Sequence, residues 1–194
     1  MSQHVYQLFQ RSIEAKMQVG EALAPLIESA SDILVQTLLN EGKILACGNG
    51  PSAALAQIFT SCLIDRYEKE RPSLPAIWLG GSIASYTAIV TEAQHNEVYS
   101  KPIRALGQPG DSLVVISSSG NASNLLQAIT TAHERDLNVI ALTGRDGGDV
   151  ASLLYNNDLE LRAEVNSRGR IHEIHLLVLY CLCDLIDNRL FGLE

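Results

Sequence analysis

The chain opens on two stretches of helical periodicity and then changes character. Over residues 3–20, Val5, Leu8, Phe9, Ile13 and Met17 recur at helical spacing with polar residues between them. Residues 26–39 repeat the pattern through Ile27, Ile33, Leu34 and Leu38 and close near Asn40 and Gly42, which predicts two N-terminal helices. Both precede any strand, so their apolar faces must pack on the later core or on another subunit. From residue 43 onward strand and helix signals alternate. Apolar runs predict strands at 43–47, 76–79, 113–117, 138–142 and 159–163. Between and after them, helical patterns occupy 52–67, 83–90, 97–106, 121–135, 149–154 and 169–188. The strand segments are continuously apolar instead of alternating, as expected of a parallel sheet covered on both faces. The predicted fold is α/β: a three-layer, doubly wound sandwich on a five-stranded parallel sheet, preceded by N-terminal helices. Residues 1–194 read as a single domain, with 1–42 a helical extension involved in oligomerisation.

Two strand ends carry the chemistry. ILACGNGPSAA at 44–54 and LVVISSSGNAS at 113–123 share one plan: an apolar run, a loop of Gly, Asn and Ser, then the start of an amphipathic helix. The first-turn N–H groups of a helix point outward and its dipole favours negative charge, so each loop is a candidate anion site. Ser117, Ser118 and Ser119 add neutral donors suited to phosphate oxygens. In such folds ligands lie beyond the carboxyl ends of the strands, which gathers Asn49, Ser52, Ser117, Ser118, Ser119 and Asn121, with residues near Arg168 and His172. GNGPS lacks the G-x-G-x-x-G spacing and no GK[ST] follows it. The serines lack a G-x-S-x-G frame, which argues against a nucleophile.

Charge and cysteines narrow the classes. A net charge of −8 is unsuited to wrapping nucleic acid. No leader pattern opens the chain and the apolar run at 176–182 is too short to span a bilayer, so a cytoplasmic protein is expected. Four cysteines read as small buried thiols: Cys181 and Cys183 are two apart on a helix and point to different sides.

The ordered string CGNGPS (47–52), DRYEKERPSLPAI (65–77), NEVYSKPIRALGQPGD (96–111), ISSSGN (116–121), ALTGRDGG (141–148), RIHEIHLL (170–177) and CLCDLIDNRLF (181–191) resembles the sugar isomerase (SIS) domain family over essentially the whole chain. Within it, the resemblance is to the DnaA initiator-associating proteins and, more distantly, to the phosphoheptose (sedoheptulose 7-phosphate) isomerases. It implies that Asn49, Ser52, Ser117, Ser118 and Ser119 hold a sugar phosphate, with Ala122 standing where the family usually has one more Ser.

In the isomerases the helix after the first loop carries a His and, four residues later, a Glu. Their last helix carries a Gln and, eight residues on, a His, and some members bind zinc with this set. Those positions here are Ile58, Cys62, His172 and Tyr180. Acidic groups the family turns towards sugar hydroxyls correspond to Glu92 and Gly169. Ile58 moves no proton, an apolar setting would raise Cys62 above its reference of about 8.5, and a tyrosine phenol, at about 10 in model peptides, is a poor base at neutral pH. A retained cradle without its proton-transfer set implies a non-catalytic protein: a homotetramer that binds DnaA and promotes replication initiation by multivalency, with no catalytic residue, metal or cofactor. Leu190 and Phe191, by the same resemblance, serve assembly and partner contact. The alternative is a sedoheptulose 7-phosphate isomerase of lipopolysaccharide heptose synthesis.

Overall fold

The computed structural model describes residues 2–92 and 95–192. Five parallel strands form one open sheet: β1 (Ile44–Gly48), β2 (Ala76–Trp78), β3 (Ser112–Ile116), β4 (Asn138–Gly144) and β5 (Leu159–Ala163), in the order β2-β1-β3-β4-β5. The helices are α1 (Ser2–Leu39), α2 (Pro51–Ile64), α3 (Ile83–Thr91), α4 (Ser100–Leu106), α5 (Ser123–Glu134), α6 (Gly148–Leu153) and α7 (Arg168–Phe191).

Every residue of β1 and β3 is buried. Their pleat divides the core in two. Ile44, Ala46, Val114, Ile116, Ile140 and Leu142 face one layer with Phe59 and Leu63 of α2, Leu34 of α1 and Ile171 and Leu182 of α7. Leu45, Cys47, Leu113, Val115, Val139 and Ala141 face the other, with Ile103 of α4 and Leu125 and Ile129 of α5. This is the expected three-layer architecture.

Two local expectations are corrected. The N-terminal region is one helix of 38 residues that runs straight through Pro25. Proline costs the helix a single N–H there, and Val19, Leu23, Ala30 and Leu34 keep one buried stripe on both sides of it. The pattern at 97–106 divides into a 3₁₀ turn at His95–Glu97 and the short α4. By length and composition α1 is apolar enough to cross a membrane. Here it is bound to the body instead: Ser12 donates to Glu173, and Arg189 of α7 reaches the Glu28 carbonyl at 3.0 Å and Asp32 at 3.2 Å.

The order places a switch point between β1 and β3. The chain leaving β1 enters α2 on one face of the sheet, and the chain leaving β3 enters α5 on the other. Gly48 pairs with Ile116 in register, so the two loops emerge side by side. A crevice at such a point is where this class of sheet binds ligands.

Candidate functional site

The two loops are tied together before any ligand arrives. The side-chain amides of Asn49 and Asn124 pair reciprocally, at 2.8 and 2.9 Å, across the β1–β3 boundary. Tyr99 donates its hydroxyl to the Gly48 carbonyl and lies 3.3 Å from Asn49 Oδ1. Tyr99 and Asn124 are both buried, and burial pushes the Tyr99 phenol well above its usual range. It therefore stays a neutral donor. Neither residue was singled out from the sequence as part of the site; the available signal was polar Asn124 beside the buried apolar stripe of Leu125, Ala128 and Ile129.

The expected site residues divide by task. Ser117 is buried and its Oγ accepts the Gly120 N–H at 3.0 Å, closing the turn from within. Asn121 points its Oδ1 to the Asp149 N–H at 2.9 Å and so docks the loop on α6. Ser118 and Ser119 remain half-buried at the loop surface, and Ser52 lies in the first turn of α2. No side chain caps the helices beside them: Gly50 and Ala122, at the N-caps of α2 and α5, make no side-chain cap hydrogen bond, while in α2 the Ser52 and Ala53 N–H groups turn back to the Asn49 and Gly50 carbonyls at 3.0 Å. Pro51 at the first position of α2 has no N–H to satisfy. Two uncapped helix N-termini and three hydroxyls suit an oxyanion, held without a buried cation.

Beyond the serine loop lies a cavity of about 420 Å³ lined by Ser119, Asn121, Arg145, Asp146, Glu164 and Asn166. A slightly larger one, about 460 Å³, runs between α1 and α7. Its walls, including Val19, Leu23, Ile27, Tyr67, Val178 and Tyr180, are mostly apolar and offer little to a phosphate.

The opening turns of α7 reach the cradle. A Cβ on Gly144 would lie 2.7 Å from Ile171 and 2.8 Å from the Ser118 carbonyl, so β4, α7 and the serine loop meet there. His172 follows in the same turns. Burial and then the Arg168 charge hold its pKa below the usual imidazole range, and its Nε2 is buried without a hydrogen-bond partner. One turn on, His175 Nε2 lies 2.8 Å from the Thr143 carbonyl, with Nδ1 unpartnered. Burial pushes the His175 pKa down to about 4. The unfolded chain therefore takes up a proton that the folded one refuses once the pH falls below about 6.5. Stability should be unaffected by this group above that pH and fall by about 2–3 kcal/mol as pH drops to ~4.5. Urea melts at both pH values should show the loss, and His175→Gln should remove that part of it.

The four positions that differ from the isomerase pattern do not share one environment. Ile58 packs on the α1–α2–α7 core. Tyr180 stands against Tyr67, ring centroids 5.5 Å apart, beside the apolar cavity. Cys62 corrects the expectation from sequence. A hydrogen bond with Cys183, then Ser61 and the Arg71 charge, outweigh burial and lower its pKa to about 7. Among the described residues, no three His, Cys, Asp or Glu side chains are grouped as a metal site would require. Leu190 and Phe191 are half-buried against the core rather than standing free.

An open parallel sheet with hydroxyl-bearing loops at its switch point defines a ligand-binding α/β class. Residues 8–144 match the SIS domain family, and the chain belongs to it. It is 56% identical over 184 residues to a phosphoheptose isomerase of Chromohalobacter salexigens, covering 95% of this chain and 93% of that protein. The solved phosphoheptose isomerase GmhA of Neisseria gonorrhoeae superposes with a TM-score of 0.91 at 42% identity, over 96% of this chain and 98% of that one. A phosphoheptose isomerase structure from Francisella tularensis gives 0.93 at 41% identity, over 96% and 97%. These likenesses overturn the expectation of a non-catalytic, DnaA-binding initiation protein. That expectation weighed four side chains, whereas the likeness to isomerases runs the length of the chain.

Proposed function

We propose that the protein is a phosphosugar isomerase that interconverts sedoheptulose 7-phosphate and the corresponding aldose phosphate. The observation that carries this reading is the full-length likeness to phosphoheptose isomerases together with the paired loops at the β1–β3 switch point. The phosphate is moored by Ser52, Ser118 and Ser119 and by the N-terminus of α5, with the dipole of α2 beside it. Asn49, Ser117 and Asn121 hold those donors in place. With the phosphate fixed, a ketose becomes an aldose when a base takes a proton from C1 and it is returned at C2 while the O1 hydroxyl proton passes to O2. That work suits a group able to accept a proton at neutral pH. His172 meets the requirement: it is held neutral, its Nε2 has no internal partner, and its helix opens beside Ser118.

The same reading takes the working form as a cytoplasmic homotetramer. Support for a multimer comes from the outer face of α1, where Tyr6, Phe9, Ile13 and Met17 are 61–75% exposed.

The test is turnover of sedoheptulose 7-phosphate by the purified chain, followed by chromatography of the two sugar phosphates. Ser52→Ala should raise KM about tenfold or more, because a hydrogen bond to a charged group contributes about 1.5–3 kcal/mol. His172→Gln should lower kcat and remove the imidazole limb of the pH profile. Normal phosphate-ester binding with no turnover would refute the isomerase reading.

A further inference from the structure

Asn124 lies in the first turn of α5 and is only 2% exposed, a costly place for a carboxamide that lacks hydrogen bonds. At that depth it presents no surface to a ligand. Among the described residues its side chain bonds to one other, Asn49, in the loop between β1 and α2. Asn49 Nδ2 donates to Asn124 Oδ1 at 2.8 Å, and Asn124 Nδ2 donates to Asn49 Oδ1 at 2.9 Å.

The proton count of Asn49 leaves one donor over. A carboxamide carries two N–H groups and one oxygen with two lone pairs. Asn49 Oδ1 takes the Asn124 N–H and has the Tyr99 hydroxyl at 3.3 Å. Asn49 Nδ2 gives one proton to Asn124, and among the described residues the second has no acceptor. Asn49 is the half-exposed member of the pair. Its main-chain carbonyl accepts the Ser52 N–H at 3.0 Å, which keeps it beside Ser52 where α2 begins.

We propose that Asn124 is a positioning residue of the phosphate site: it turns the Asn49 carboxamide so that the unused N–H becomes a donor to the phosphate. This deepens the isomerase reading above and rests on its phosphate site. A free asparagine rotates about its terminal torsion and presents Oδ1, which repels a phosphate oxygen, as readily as Nδ2. The reciprocal pair stops that rotation but does not by itself choose a direction. Exchanging O and N on both carboxamides at once would restore the same two bonds. Tyr99 breaks the symmetry, because its hydroxyl faces Asn49 Oδ1 and burial keeps it protonated. The oxygen is thereby turned to the interior donors and the spare N–H is left for the ligand. A donor fixed in advance needs no reordering when the phosphate arrives.

The test titrates inorganic phosphate into the native chain, isotopically labelled at asparagine, and follows the side-chain amides by NMR. Asn49→Asp assigns the Asn49 signals. One Asn49 Nδ2 proton should move downfield as phosphate binds, while the other, held by Asn124, stays in place. Asn124→Leu should abolish that selective shift and weaken phosphate binding about tenfold or more by calorimetric titration, as expected for losing a hydrogen bond to a charged group. Asn49→Ala should weaken binding equally, and the double variant no further, because Asn124 acts only through Asn49. A merely structural tie would lower affinity without any response at the Asn49 amide. A phosphate complex in which neither Asn49 proton moves, native affinity in Asn124→Leu, or a double variant that loses the product of the two single losses would each overturn the proposal. The amide shift is read on the native chain, so it decides the matter even where Asn124→Leu fails to fold. A selective shift without turnover of sedoheptulose 7-phosphate would leave the role of Asn124 intact and remove the isomerase reading; turnover without the shift would do the reverse.

Discussion

Gly120→Ala should destabilise the protein by about 3 kcal/mol or more and cut phosphate-ester affinity by about 100-fold. Gly120 has φ +71°, and a Cβ built there would lie 1.8 Å from the Gly147 carbonyl oxygen, 2.6 Å from its carbon and 3.1 Å from Gly148 Cα. All three neighbours are backbone, so no side chain can swing aside. The backbone is also held from both directions, since Gly120 N–H donates to Ser117 Oγ and its carbonyl accepts from Val150 N–H at 2.9 Å. Relief requires the serine loop and the start of α6 to separate, which moves Ser118 and Ser119 away from the N-terminus of α2. Gly110→Ala is the matched control: its φ is +87°, yet a Cβ there meets nothing within 4 Å. It carries the conformational penalty alone, about 1 kcal/mol. Urea melts and calorimetric titration with a sugar phosphate on both variants separate clash from strain. Equal losses in the two would mean that the serine loop does not pack on Gly147 as described.

The contrast between these glycines shows which parts of the molecule were legible in the sequence. β1 and β3, buried on both faces, are apolar throughout and were found on that account, with β4 continuing through Thr143 to Gly144; the edge strand β5 was found too, although Glu160 and Arg162 make it alternate. Both loops were legible as well, because a strand emptying into Gly, Asn and Ser before a helix leaves a local signature. The bracing behind them was not. Asn49 and Asn124 are 75 residues apart, and nothing local marks either as the other's partner. The stretches at 3–20 and 26–39 were read as two helices because local periodicity cannot see the α7 surface that holds both halves of α1 in line. Cys62 failed for the same reason: its apolar neighbours in sequence predict a raised pKa, and the thiol that lowers it comes from another helix. The functional misreading arose from comparing individual side chains at four positions. Residues such as Tyr99 and Asn124, which build the cradle, weigh towards a working phosphate site that those four do not erase.

Arg71→Met should cost about 3–5 kcal/mol, the largest loss expected of any single side chain here. Arg71 lies in the stretch between α2 and β2, yet its side chain is only 1% exposed. Its Nε donates to Asp187 Oδ1 at 2.7 Å. The two terminal nitrogens reach the Leu63 and Cys62 carbonyls at 2.7 Å each and the Pro72 carbonyl at 3.0 Å. Carbonyls in the last turn of a helix have no intrahelical donor, so a cation there satisfies hydrogen bonds and opposes the dipole together. One guanidinium thus finishes α2, fixes the connection to β2 and neutralises a buried carboxylate on α7. Methionine fills much of the volume but leaves Asp187 charged and unpaired. Lysine restores the charge without the planar fork, so Arg71→Lys should recover only part of the loss. Removing both partners, as Arg71→Met with Asp187→Leu, takes the orphaned charge away. The Cys62 carbonyl then lacks a donor, whereas the Leu63 carbonyl keeps the Leu74 N–H at 3.0 Å, so the double variant should remain about 1–3 kcal/mol below the native protein. A urea-denaturation cycle over the four proteins measures the coupling, expected to exceed about 1 kcal/mol. Strict additivity would show that Arg71 acts on the end of α2 alone, with no contribution from its pairing to Asp187.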